Sequence, residues 1–177
     1  QGGGFASALA HWEQARRDAQ ASGDGQAQAR AELGAARTYL ALGRSRIATE
    51  RLQNAHQLAT ALDDRNLLGP ISAALGNALL LAGDTAKARA ALEQAIAWGR
   101  AGNDTELVAQ SANDLARLEV DAGNTARAAD LYRQSMTGAL SSGNLALQAT
   151  AAANLARLPL PAAEHAQALT RAEQLVR

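Results

Sequence analysis

The amino-acid sequence predicts an all-α fold made of repeated helix pairs. Three observations lead to this fold class: an alanine-rich composition, a scarcity of strand-forming residues, and a regular repeat along the chain. Hydrophobic residues make up 47% of the 177 residues, but most are Ala and Leu, and aromatic residues reach only 3%. Alanine is the strongest helix former, whereas strands favour β-branched and aromatic side chains. A β-sheet is therefore not expected.

Composition and charge also exclude several kinds of partner. The chain has no cysteine, which excludes a disulfide scaffold and a thiolate metal site. Its 17 Lys and Arg balance 17 Asp and Glu, which argues against nucleic-acid binding. The longest apolar run, 78–82, is far shorter than the ~20 residues of a membrane span. We expect no nucleic-acid or membrane partner and, since no signal peptide is present, a cytoplasmic location.

Residues of the same type recur along the chain at one fixed spacing, the spacing that separates Gly43 from Gly83. This period appears in several independent sets of positions, or registers, which makes a chance origin implausible. Repeats of this length are typical of helical solenoids, in which each unit buries its apolar face against its neighbours. The glycine register is Gly43, Gly83 and Gly123, and the acidic or amide register is Asp24, Asp64, Asp104 and Asn144. Two further registers are Ala8, Ala48, Ala88, Ala128 and Ala168, and Trp12, Leu52, Leu92 and Tyr132.

Taken in order, the period divides the single array at 1–177 into a leading half-repeat and four units. Residues 5–24 are expected to form the second helix of a partial repeat, and 25–64, 65–104 and 105–144 complete repeats. Residues 145–177 are an atypical terminal repeat, because Pro159 and Pro161 fall near its expected turn and should shorten its helix hairpin. One or both ends of such an array are expected to be covered, in a longer protein or by self-association.

The unit at 65–104 shows how each helix pair is specified. Leucine or isoleucine recurs every four residues from Asp64 to Ala82, which predicts a helix with one buried face, and a second helix is predicted from Thr85 to Ala101. Between them, Gly83 suits a left-handed turn and Asp84 a helix cap. The same chemistry predicts caps at Asp24, Asp64, Asp104 and Asn144, and a cap at Ser45 in the preceding unit. Pro70 is expected to fall in the first turn of its helix, where a proline is tolerated because the backbone N–H has no partner.

These positions resemble the tetratricopeptide repeat, or TPR. The family pattern is matched throughout one unit, by Leu75, Gly76, Leu79, Gly83, Ala88, Leu92 and Ala95. The period is longer than that of the commonest TPR form. In this it resembles the repeats of Pins/LGN and kinesin light-chain proteins, and of bacterial arrays beside CHAT protease domains. The alanine-rich composition suggests a bacterial source. The resemblance implies a right-handed α-solenoid of antiparallel helix hairpins.

The resemblance further implies that the first helix of each unit lines a concave groove. In the first complete unit the groove positions include Arg30, Leu33 and Ala41. Arg37, Asn77, Arg117 and Arg157 occupy one register and would offer a ladder for an acidic or C-terminal peptide. The alternative is that they are ordinary solvated side chains, some paired with acidic neighbours. The candidate peptide-binding residues are Arg37, Leu40, Asn77, Leu80, Leu81, Gln110, Asn113, Arg117, Asp121 and Arg157.

Leu80 and Leu81 form the most specific part of this candidate groove. The run Leu79-Leu80-Leu81 is too continuous for a stripe on one helix face, so at least one leucine should face the groove or a partner. Catalytic chemistry is not expected, because His11, His56 and His165 are scattered and no nucleotide-binding or nucleophile motif is present.

We therefore predict a non-catalytic protein- or peptide-binding scaffold with no cofactor and no metal. The alternative is a sensor module that controls an attached effector domain, such as a CHAT-type protease or a DNA-binding domain.

Overall fold

The computed structural model describes residues 3–176, except for the side chains at 3, 164, 171–173, 175 and 176. The described residues form nine α-helices and no strand, which confirms the prediction of an all-α fold. The helices are α1 (Gly3–Ser22), α2 (Gly25–Ala41), α3 (Ser45–Ala61), α4 (Arg65–Leu81), α5 (Thr85–Ala101), α6 (Thr105–Asp121), α7 (Thr125–Ser142), α8 (Leu145–Ala156) and α9 (Ala162–Val176).

The turns between the first eight helices all place one residue in the left-handed backbone region. Five of these residues are glycines, including Gly83 with a φ of 81°, where an added side chain would be strained. The other two are Asp63, at 47°, and Asn103, at 55°. Asp and Asn tolerate this region better than other side chains do. The left-handed residues follow one another at exact half-periods: Gly23, Gly43, Asp63, Gly83, Asn103, Gly123 and Gly143.

The predicted helix caps are confirmed at five helices, among them α5, where Asp84 accepts from the backbone N–H of Lys87 at 3.2 Å. The side chain of Asp24 accepts from the backbone N–H of Ala27 at 2.9 Å, and Asp104 accepts from Leu107 at the same distance. Asp64 and Asn144 cap α4 and α8 in the same way. Each oxygen satisfies a backbone donor that has no partner within its own helix.

The predictions for Ser45 and Pro70 are wrong. Ser45 is the first residue of α3, and the cap position belongs to Arg44, whose side chain makes no capping hydrogen bond. Pro70 is the sixth residue of α4 and lies beyond its first turn. Its nitrogen cannot donate to the carbonyl of Asn66, so α4 forms without one internal hydrogen bond. Burial of Leu67, Leu68 and Ile71 on the same helix opposes that loss.

The chain divides into two compact units, residues 1–98 and 99–177. In the first unit, alanines and a few larger side chains form a buried cluster that contains Leu52 and Ile71. The Trp12 ring of α1 packs on Gly34 of α2, where an added Cβ would lie only 2.5 Å from the ring. The small residues therefore allow close approach of neighbouring helices.

A charged network joins three helices of the first unit. Arg51 of α3 donates to Glu32 of α2 at 3.1 Å and also to Glu13 of α1. Glu32 is buried, so its charge requires this partner. Burial alone would lower the pKa of Arg51, but the hydrogen bond to Glu32 and the charges of both carboxylates outweigh burial and raise it.

The second unit has its own core, in which Leu115 of α6, Tyr132 of α7 and Leu155 of α8 are buried. Gly138 of α7 approaches the backbone of α6 so closely that a Cβ there would lie 2.8 Å from the carbonyl oxygen of Thr105. Helix α8 has 12 residues, whereas α6 has 17, which confirms the predicted shortening before Pro159.

Candidate functional site

The candidate residues of the first unit lie on α2 and α4. Arg37 is exposed on α2, and Leu40 is half-buried. On α4, Asn77 and Leu80 are half-buried, and exposure rises from the buried Leu79 to Leu81, which is 63% exposed. The three leucines are therefore not all buried, and the orientation of Leu80 or Leu81 toward a groove or a partner stays a prediction.

An open cleft of about 1000 Å³ lies beside α1, α2 and α4 in the first unit. Arg37 lines this cleft together with Arg30, Leu33 and Ala41, three further positions that the TPR resemblance assigns to the groove. The sequence did not indicate the contribution of α1, which supplies Phe5, Ala8 and Trp12 to the same cleft. The register of Trp12 with Leu52 is the signal that could have placed it on this face of its helix.

Candidate residues of the second unit surround the buried Tyr132. Burial raises the pKa of the Tyr132 hydroxyl above its ordinary value. The positive charges of Arg117 and Arg157 lower that pKa, whereas the negative charge of Asp121 raises it. The structure therefore brings three predicted residues into the electrostatic neighbourhood of one phenol that the sequence did not identify as part of the site.

The polar candidates of α6 differ in how they are held. Gln110 is exposed and donates to Glu106 at 3.1 Å. Asn113 is buried, and its side-chain oxygen accepts from Asn154 of α8 at 3.4 Å. Arg117 is 67% exposed and lies 3.9 Å from Asp114. An exposed ion pair of this length contributes little to stability and leaves the guanidinium accessible.

The predicted ladder of hydrogen-bonding side chains is distributed over both units. Arg37 and Asn77 belong to the first unit, and Arg117 and Arg157 belong to the second. Arg157 is the exposed C-terminal cap residue of α8. Within each unit these residues lie on first helices, and their use as one ladder stays a prediction.

Among the described residues, no three His, Cys, Asp or Glu side chains are grouped to hold a metal ion. Over the same range, no helix combines the length and apolar character that crossing a membrane requires. His11 is exposed, and His56 and His165 are half-buried.

Comparison with known proteins supports the TPR resemblance. Residues 70–141 match a family model described as a tetratricopeptide repeat. This region covers the turn between α4 and α5 and extends through most of α7. No curated protein matches the chain.

Solved structures with a similar fold include BtubC (BKLC) from P. vanneervenii, with a TM-score of 0.79 and 20% identity. The similarity covers 97% of this chain and 73% of that one. A putative kinesin light chain from Podosopora anserina with nearly identical TPR-like repeats has a TM-score of 0.72 and 19% identity, with 97% and 85% covered. MamA protein has a TM-score of 0.57 and 16% identity, with 97% and 91% covered. At these identities the similarity shows the fold alone.

Proposed function

We propose that this chain, in which residues 70–141 match a tetratricopeptide repeat model, is a non-catalytic scaffold that binds a protein or peptide along its first helices, α2, α4, α6 and α8. The fold is that of protein-interaction scaffolds. The observation that carries the proposal is the accessibility of Leu81, since this large apolar side chain is 63% exposed on a helix whose other face is buried. Contiguous apolar surface rimmed by polar residues is typical of interaction sites, and Leu81 adjoins the half-buried Leu80.

The chemistry of the neighbouring residues suits an extended peptide. Arg37, Arg117 and Arg157 offer planar guanidinium groups that bind carboxylates through paired hydrogen bonds. Asn77 offers both a donor and an acceptor for a peptide backbone. A partner with acidic side chains or a free C-terminal carboxylate would satisfy these groups, and an apolar side chain of the partner would cover Leu81.

The test is affinity capture with the intact chain and two groove variants, Leu81→Asp and Arg117→Glu. We expect each variant to lose most of the partner protein that the unmodified chain captures. Matched controls on second helices are Leu140→Asp, at a leucine that is 55% exposed, and Arg46→Glu, whose side chain is 87% exposed. Capture that persists in both groove variants would refute the assignment of the first helices.

The proposal includes a cytoplasmic location and the absence of catalytic activity in this segment. A turnover activity that copurifies with the chain and disappears with one point substitution would contradict the non-catalytic assignment. Localisation of the tagged chain by fractionation tests the compartment, and recovery outside the cytoplasm would contradict that part.

A further inference from the structure

One position on the second helices changes from a large side chain to glycine between consecutive repeats. Its register holds Leu58 in α3, Trp98 in α5 and Gly138 in α7. Leu58 and Trp98 are partly buried and pack against the hydrophobic core of the first unit. Gly138 has no side chain to do the same in the second unit, and a Cβ added there would lie only 2.8 Å from the carbonyl oxygen of Thr105. The equivalent surface of the second unit is therefore not covered from this position.

An open cleft of about 450 Å³ lies beside Gly138 within the second unit, and we call it the Gly138 cleft. Gly99 and Val108 also line it. Their equivalents one period earlier, Ala59 and Leu68, belong to the core cluster against which the indole of that repeat packs. Leu68 is only 4% exposed, whereas Val108 is half-buried. The Gly138 cleft thus leaves accessible an apolar surface whose counterpart an aromatic ring covers.

The polar part of the lining indicates the charge of a ligand. Arg100 is the one charged residue among the described residues that line the cleft. Its exposed side chain has no ion-pair partner within the described part of the chain. Gln134 adds an amide to the same lining. Because a guanidinium binds a carboxylate through paired hydrogen bonds, a ligand with one carboxylate would satisfy Arg100.

We propose that the Gly138 cleft binds a small aromatic carboxylate, whose ring packs on Gly99, Val108 and Gly138 and whose carboxylate pairs with Arg100. Glycine allows a ligand to approach the backbone closely, which suits a flat ring. The volume of about 450 Å³ falls within the range of roughly 300–1000 Å³ that is typical of small-molecule sites. This site goes beyond the proposed scaffold function, because its lining contains none of the candidate peptide-binding residues.

Indoleacetate is a suitable probe, since it joins the ring of tryptophan to one carboxylate. Tryptamine, with the same ring and an ammonium group, is the control for charge, and cyclohexylacetate is the control for the flat ring. Titration of the isotope-labelled intact chain, followed by NMR, measures each affinity and identifies the amides that shift. We expect saturable binding of indoleacetate with shifts within 99–108 and 134–141, and roughly tenfold weaker binding of each control compound.

Two variants test the lining of the Gly138 cleft. Arg100→Glu reverses its charge, and Thr137→Trp fills it from an exposed position of α7. Each should weaken the binding of indoleacetate roughly tenfold, through loss of a charged hydrogen bond or of the space for the ring. The matched controls on α3, Arg46→Glu and Thr60→Trp, change exposed positions outside the cleft and should leave the affinity unchanged. Circular dichroism of every variant verifies that the helices are intact.

Four outcomes would overturn the proposal. They are the absence of saturable binding of indoleacetate, amide shifts confined to residues outside the cleft, equal affinity for tryptamine, and an affinity that both Arg100→Glu and Thr137→Trp leave unchanged. The scaffold function is tested separately, because Leu81→Asp and Arg117→Glu should bind indoleacetate normally. Thr137→Trp should in turn capture the partner protein as the unmodified chain does, so the failure of one assignment does not affect the other.

Discussion

At the scale of single residues, Trp12 and Gly34 form a size-complementary pair between α1 and α2. One period later the same two positions hold Leu52 and Ala74, so a larger side chain on one helix coincides with a smaller one on the other. The ring of Trp12 lies where a side chain at position 34 would begin. Packing between these helices therefore depends on the combined volume of the pair.

We expect Gly34→Ala to lower the free energy of unfolding by about 1–3 kcal/mol, because the new methyl group would displace the Trp12 ring. Urea denaturation followed by circular dichroism measures the change. Gly4→Ala is the matched control, since no atom lies within 4 Å of its added Cβ, and it should change stability by less than about 0.5 kcal/mol. The double variant Trp12→Leu/Gly34→Ala, which copies the next repeat, should recover part of the loss; no recovery would contradict the size-complementarity argument.

Tyr132 gives a pH-dependent prediction at the same scale. Its folded-state pKa is raised, first by burial, so folding favours the protonated phenol. The stability that this preference contributes is complete below the unfolded pKa of about 10 and is lost as the pH rises through the higher folded-state pKa. In Tyr39→Phe, ultraviolet absorbance should show the remaining tyrosine ionising at a higher pH in the folded chain than in urea. Ionisation at the same pH in both states would contradict the effect of burial.

The sequence predicts which residue types occupy each register but not how their side chains meet. The alignment of Trp12 with Leu52 follows from the period alone. That Gly34 makes room for the Trp12 ring depends on the distance between two helices, which one sequence does not provide. Tyr132 was overlooked as part of the candidate site for a similar reason, because the charges near it come from α6 and α8.

At the scale of helices, α3 and α7 both begin without a side-chain cap. The cap position of α3 holds Arg44, which makes no capping hydrogen bond, although α2, α4, α6 and α8 are capped by Asp or Asn side chains. The helix nevertheless begins two residues after Gly43, as α5 begins two residues after Gly83. Turn spacing therefore determines where this helix begins, which is why the cap predicted at Ser45 is wrong.

Arg44→Asp should supply the missing cap and raise the free energy of unfolding by about 1 kcal/mol. The gain should appear as a higher urea midpoint with an unchanged denaturant slope. As the converse control, Asp24→Ala removes an existing cap and should lower stability by about 1 kcal/mol. A neutral or destabilising Arg44→Asp would mean that the backbone at position 44 does not present a side chain to the first turn of α3.

Helix boundaries were the most predictable feature of the fold, because caps and left-handed glycines recur with the period. In two turns the recurring glycines do not predict which residue is left-handed. Asp63 and Asn103 take the left-handed conformation that glycine takes elsewhere, and their residue types alone do not distinguish this role from that of a cap. The prediction that Pro70 lies in a first turn is wrong because the burial of its neighbours stabilises α4 and allows the helix to include a proline beyond that turn.

At the scale of the whole molecule, helices α9 and α4 differ in how many of their side chains are buried. Helix α9 has one buried residue, Ala168, among its described side chains, whereas α4 has nine. Leu169 of α9 is exposed. The prediction of self-association through an apolar C-terminal stripe concerns these two residues together with Ala172, Leu175 and Val176, whose side chains lie outside the described residues.

We expect the backbone amides of α9 to exchange with deuterium at least tenfold faster than those of α4. Local opening requires less free energy where fewer apolar contacts must be broken. Hydrogen exchange followed by mass spectrometry of peptides from 162–176 and 65–81 measures this difference. Equal protection of the two helices would contradict it and would indicate that the C-terminal helix is covered.

The evenly spaced left-handed turns have a consequence for how the gene for such a chain can change. Unequal crossing-over between two equivalent codons removes or duplicates one whole period and preserves every cap, turn and apolar stripe on either side of the junction. An insertion of another length within a helix rotates all following side chains by about 100° per residue and exposes the apolar face. Descendants of this sequence should therefore differ in length mainly by whole periods, and a binding surface can be lengthened or shortened without inventing a new fold.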